Sequence, residues 1–143
     1  MLFRSDQGFE TARRTSQEEV TTSTQVYLGD TMGEMLVLMG AADICFMGGS
    51  LIGDKVGGHN VLEPAALGVP IITGPSYFNF QEIVDKMVSF SAIAITSNAS
   101  TLAIEIKDLI QNESAYHQVK VSLLSVVNSN QGSLQKTLDK VTL

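Results

Sequence analysis

Apolar and polar positions along the chain follow two alternating rhythms. From residue 25 onward, short and nearly continuous apolar runs ("QVYLGD", "DICFMGG", "VPIIT", "AIAITS") alternate with segments patterned for helices ("MGEMLVLMGAA", "NVLEPAALG", "FNFQEIVDKMVS", "TLAIEIKDLIQN"). Runs this apolar suit strands covered on both faces, and their alternation with helices predicts βαβ units around a parallel sheet. The helix from Phe80 places Ile83, Val84 and Met87 on one stripe. Four strands are predicted, in one thin doubly wound sheet. Ahead of them, "MLFRSDQGFETARR" has the pattern of a helix end stopped at Gly8, with no strand, and "TSQEEVTTSTQ" that of a surface loop. After Asn112 two helical segments separated by "NSNQG" are predicted and no further strand. A four-stranded sheet leaves edges that complete domains usually cover, so sheet material is expected ahead of residue 1.

Composition narrows the function classes. With 143 residues, 44% hydrophobic and 17% charged, the chain has the makings of one globular domain. Its formal net charge of -6 and lack of any basic block remove the electrostatic footprint of a nucleic-acid binder. Cys45 is the sole cysteine, which excludes a disulfide framework and fits a reducing compartment. No His, Asp or Glu spacing resembles a metal site, and neither a metal nor another cofactor is expected. No run approaches the roughly 18 apolar residues of a spanning helix, and the start has no signal-peptide pattern, so the chain itself is expected to be soluble.

In open α/β sheets ligands sit beyond the carboxyl ends of strands, and two junctions there carry chemistry. In "GDTMGE", Thr31 and Glu34 have capping-box spacing, and Gly33 removes a side chain from the expected first helical turn at a cost in stability. In "GGHNVLE", Asn60 is a candidate cap and Glu63 stands three residues on. A carboxylate at a helix start is favoured by the dipole but repels phosphate, which suits it to sugar hydroxyls. A nucleotide offers both groups: phosphate for backbone N–H groups at "MGE", ribose hydroxyls for Glu63. The same spacing equally fits a Glu63 that returns to the Asn60 N–H. Gly48, Gly49, Gly57 and Gly58 follow the Cys45 strand and fit either a flexible loop or one open to a ligand. His59 is a weaker candidate donor to an anion, Asp30 and Asp54 are loop acids without a pattern, and His117 carries no function. Tyr77, Phe78 and Phe80 are expected in the core rather than as a stacking platform. Ser50 lacks the context of a nucleophile elbow.

The ordered set "GDTMGEM", "AADICFMGGSL", "GGHNVLEPAALGVPIITGP" and "FNFQEI" resembles the C-terminal half of bacterial 3-deoxy-D-manno-octulosonic acid (Kdo) transferases, over practically the whole chain. The resemblance implies a Rossmann-like parallel sheet with flanking helices, the truncated C-terminal half of a GT-B glycosyltransferase, with residues 1–143 forming a partial CMP-sugar-binding domain. It implies CMP-Kdo as donor, and a lipid A precursor as acceptor through an N-terminal domain that this chain lacks. It also implies a place on the cytoplasmic face of the bacterial inner membrane, with membrane association only through that other half. The family's CMP-binding turns fall on Met32, Gly33 and Glu34, and on Asn60, Val61, Leu62 and Glu63. On this resemblance no catalytic base lies in the chain, and the chain alone is expected to be inactive. Three features depart from the family: a longer loop "LIGDKVGGHN", Tyr77 where histidine is common, and "NQGSLQ" without the usual arginine. The alternatives are a GT-B domain using a UDP-sugar, and a noncatalytic nucleotide-binding or interaction module. A dinucleotide oxidoreductase is disfavoured because no G-x-G-x-x-G follows a strand.

Overall fold

The structure is a computed structural model that describes residues 8–130. The chain divides into two compact units, with the boundary between Ala41 and Ala42.

The first unit holds β1 (Thr11–Arg13) and β2 (Val26–Leu28), paired in parallel with Thr11 opposite Val26, and then α1 (Met35–Gly40). The helix end expected ahead of Gly8 falls outside the described residues, and strand β1 lies in a segment where no strand was expected. Its three residues, Thr-Ala-Arg, bury only Ala12, so no apolar run announces it. The polar segment after it is a surface loop, as its composition predicts. Helix α1 is shorter than the pattern over 32–42, and none of its residues is buried.

The second unit is a three-stranded parallel sheet in the order β3 (Cys45–Phe46), β4 (Ile71–Thr73), β5 (Ile93–Ile95). Among the described residues, five strands in two sheets, one in each unit, thus replace the single four-stranded sheet expected. Strand β4 is central and buried throughout, which is why "VPIIT" shows no alternation. The crossovers are α2 (Leu62–Ala66) and α3 (Gln81–Ser89); α4 (Ala99–Gln111) follows β5, and α5 (Glu113–Asn130) packs on α2, α3 and α4. Helix α3 turns Val84 and Met87 into a core shared with Ile71, Ile93, Leu123 and Val126. Two helix ends close in the same way. After α2, Gly68 (φ +68°) lets the Gly68 and Val69 N–H groups bond back to Ala65 and Pro64, and Ser91 (φ +51°) does the same after α3. The second helical segment expected after "NSNQG" lies outside the described residues. Among the described residues no helix is long and apolar enough to cross a membrane.

Candidate strand-end nucleotide site

The carboxyl ends of β1 and β2 carry two clamped carboxylates. Asp30 accepts from Nε and Nη2 of Arg13 at 3.0 and 2.6 Å, and from the N–H and hydroxyl of Thr15. These donors, Arg13 first, hold its pKa down to about 2. Glu34 accepts from Arg14 at both oxygens, Nη2 at 2.9 Å to Oε1 and Nε at 3.0 Å to Oε2, and the Thr31 hydroxyl donates to Oε2. Its pKa is likewise held to about 2, by Arg14 and then Thr31.

This arrangement corrects the capping box expected at 31–34. Glu34 is itself the residue before α1, no side chain caps that helix, and the Thr31–Glu34 pair is side chain to side chain. Gly33 stands ahead of the helix at φ +82°, a left-handed turn that alone accounts for glycine. Met32 is 98% exposed. A carboxylate has about four acceptor positions. Those of Glu34 are taken up within the fold.

At the second junction, the Asn60 side-chain oxygen accepts from the Leu62 N–H (3.0 Å), and its amide donates to Glu63 Oε1 (3.1 Å). Glu63 therefore turns to the side chain of Asn60, not to its backbone N–H, and α2 has no side-chain cap at Val61. That single bond leaves most of the acceptor capacity of the half-buried Glu63 carboxylate open. Val61 is a core residue, 1% exposed, and Leu62 is 42% exposed. Helices α1 and α2 have six and five residues, so their dipoles are weak and the side chains matter more.

The glycine-rich loop after β3 is built rather than loose. The buried Ser50 hydroxyl donates to the Met47 carbonyl (2.6 Å) and accepts from the Gly74 N–H (2.7 Å), while the Ser50 carbonyl accepts from the Ser76 N–H. The Ser76 hydroxyl meets the carbonyls of Gly53 and Val56. A β-carbon on Gly57 would lie 2.6 Å from Asn79 and 2.7 Å from the Phe78 ring; Gly49 (φ +76°) and Gly58 (φ +68°) are left-handed. Only Gly48 of the four keeps an open side, bordered by the His59 ring. Sequence reasoning missed this serine clamp, although "GGS" and "GPS" mark both of its ends.

The remaining candidates are dispersed. Tyr77 and Phe80 pack against the core as expected; Phe78 is half exposed. The Tyr77 hydroxyl donates to Asp85, and burial followed by that carboxylate raises its pKa. His117 is an exposed neighbour of Glu113. A cavity of about 550 Å³ lies at the opposite end of β3, lined by Asp43, Ile44 and the α4–α5 turn, away from these loops. Among the described residues no group of His, Cys, Asp or Glu is arranged for a metal ion.

Residues 7–121 match the family model described as glycosyl transferases group 1. The chain is 39% identical over 132 residues to a 3-deoxy-D-manno-octulosonic acid transferase of Haemophilus influenzae, covering 92% of this chain and 30% of that protein. It is 30% identical over 133 residues to the protein of that name from Bordetella pertussis, covering 92% of this chain and 31% of the other. Among solved structures, the C-terminal CMP-Kdo binding domain of WaaA from Acinetobacter baumannii superposes with a TM-score of 0.83 at 36% identity, over 87% of this chain and 64% of that one. The chain spans about a third of the length of these curated relatives.

Proposed function

The chain belongs to the glycosyl transferases group 1 family, and from that membership we propose that it is the donor-binding part of a Kdo transferase. The donor is CMP-Kdo and the acceptor a lipid A precursor, engaged by the rest of a longer protein at the cytoplasmic face of the bacterial inner membrane. The observation that carries this reading is the likeness, at 36% identity over 87% of the chain, to a domain that binds CMP-Kdo.

The proposed nucleotide contacts are Met32, Gly33 and Glu34 in the first unit and Asn60, Val61, Leu62 and Glu63 in the second. Glu63 receives the ribose hydroxyls, because among the described residues its carboxylate accepts only the Asn60 amide. Val61 and Leu62 contribute backbone, since one side chain is buried and the other is apolar. The reaction is attack by a lipid A sugar hydroxyl on the anomeric carbon, with loss of CMP. The backbone N–H groups at Met32–Glu34 meet the phosphate and stabilise the charge that develops as the nucleotide departs. No residue described here is assigned as the base.

A graft tests this. The matching segment of the Haemophilus influenzae transferase is replaced by this chain and assayed for transfer from CMP-Kdo to a lipid A precursor. Transfer is expected. A folded graft that prefers a UDP-sugar, or that transfers from neither donor, contradicts the proposal.

A further inference from the structure

An anionic nucleotide needs counter-charge where it binds, and the first unit has little to offer. Among its described residues Arg13 and Arg14 are the two cations, against five carboxylates: Glu10, Glu18, Glu19, Asp30 and Glu34. Both arginines sit at the carboxyl end of β1. Arg13 is bound into the Asp30–Thr15 cluster. Arg14 differs in what holds it. Its Nε and Nη2 edge closes on Glu34, next to the exposed Met32–Gly33 turn, while Nη1 and its two N–H groups lie outside that contact. The Arg14 side chain is about half exposed, which leaves it within reach of a ligand. Glu34 is itself fixed by the Thr31 hydroxyl, and the Tyr27 hydroxyl on β2 adds to the groups that favour the charged guanidinium.

We propose that Arg14 contacts the phosphate of the donor nucleotide, with Glu34 acting as the residue that orients it. This rests on the donor-binding reading given above and assigns the first unit's contribution differently within it. The Glu34 carboxylate is used up inside the fold, and the cation it presents faces the ligand. A planar fork gripped along one edge is pre-organised to offer the other to a phosphate, which lysine, a flexible point charge, does not reproduce.

The test compares CMP with cytidine, which has the same base and ribose but no phosphate. The full 143-residue chain and its Arg14→Lys, Arg14→Gln and Glu34→Gln variants are titrated with each by NMR at low ionic strength, with thermal midpoints measured alongside. Loss of a charge-assisted phosphate contact is expected to weaken CMP binding about tenfold or more in both Arg14 variants while leaving cytidine binding unchanged. Glu34→Gln should weaken CMP to a smaller extent and spare cytidine as well. Equal losses for CMP and cytidine would reduce Arg14 to a structural role, and unchanged CMP binding would remove it from the site; either overturns the inference alone. A folded wild-type chain that binds no CMP overturns the donor-binding reading, and this inference with it.

Discussion

Glu34 and Glu63 present the same functional group beside short helices, and their hydrogen bonds set them apart. Glu34 is held by Arg14 and Thr31, whereas Glu63 accepts one amide from Asn60. If Glu63 receives ribose hydroxyls, Glu63→Gln removes one acceptor oxygen and introduces unwanted donors. CMP affinity should then fall by roughly ten- to a hundredfold, the worth of a charge-assisted hydrogen bond, with little change in thermal midpoint. Unchanged affinity, or a midpoint loss large enough to account for the weaker binding, would return Glu63 to a structural part. Glu34 and Asp30 make a prediction in pH instead. Both have folded pKa values of about 2, below their ordinary values of 4.5 and 3.8. Their stabilising contacts are therefore complete above about pH 4.5 and are lost as pH falls toward about 2. Carboxyl NMR shifts should place both midpoints near the lower value, with Arg14→Gln moving Glu34 back upward. Ordinary midpoints in the wild type would contradict the clamps.

At the scale of elements, the loops between strands and helices are held by side chains more than by helix geometry. Ser50 ties the end of β3 to the end of β4 through the Met47 carbonyl and the Gly74 N–H. Ser50→Ala leaves buried polar groups without that partner and should cost about 1–3 kcal/mol in chemical denaturation. A β-carbon on Gly74 would overlap the Ser50 carbonyl group, so Gly74→Ala should destabilise more than Gly53→Ala, where the added carbon meets open space and only the left-handed φ is strained. The reverse order would contradict the clamp. Helix N-termini were the least accurately read elements. Serine or threonine followed by glutamate suggests a cap at 31–34, and Asn60 with Glu63 suggests another. The capping box that forms is Asn98 with Thr101 at α4, where the Asn98 oxygen accepts from the Thr101 N–H at 3.0 Å. At the other two positions the side chains have better partners, Arg14 in one case and each other in the other. Asn98→Ala should cost about 1 kcal/mol.

Across the whole chain, what sequence patterning conveyed depended on burial. Strands β3, β4 and β5 and helix α3 have apolar residues committed to one core, so alternation and stripe locate them within a few residues. Strand β1 is mostly polar and α1 has no buried residue, so neither the presence of the first nor the length of the second was evident from periodicity. The division into two units had no compositional marker at residues 41–42. The candidate site followed the same rule in reverse. Its residues were singled out by chemistry at strand ends, and spacing already paired Thr31 with Glu34 and Asn60 with Glu63. Arg14, the main partner of Glu34, lies 20 residues away, a separation that spacing does not reveal. The central claim, that this chain binds a cytidine nucleotide at these strand ends, is tested most directly by an amide NMR titration with CMP, UMP and AMP. Saturable shifts are expected at Met32–Glu34 and at Asn60–Glu63, with CMP binding more tightly than UMP or AMP. Equal binding of all three nucleotides, or shifts confined to the α4–α5 turn around the cavity at Asp43, would contradict it.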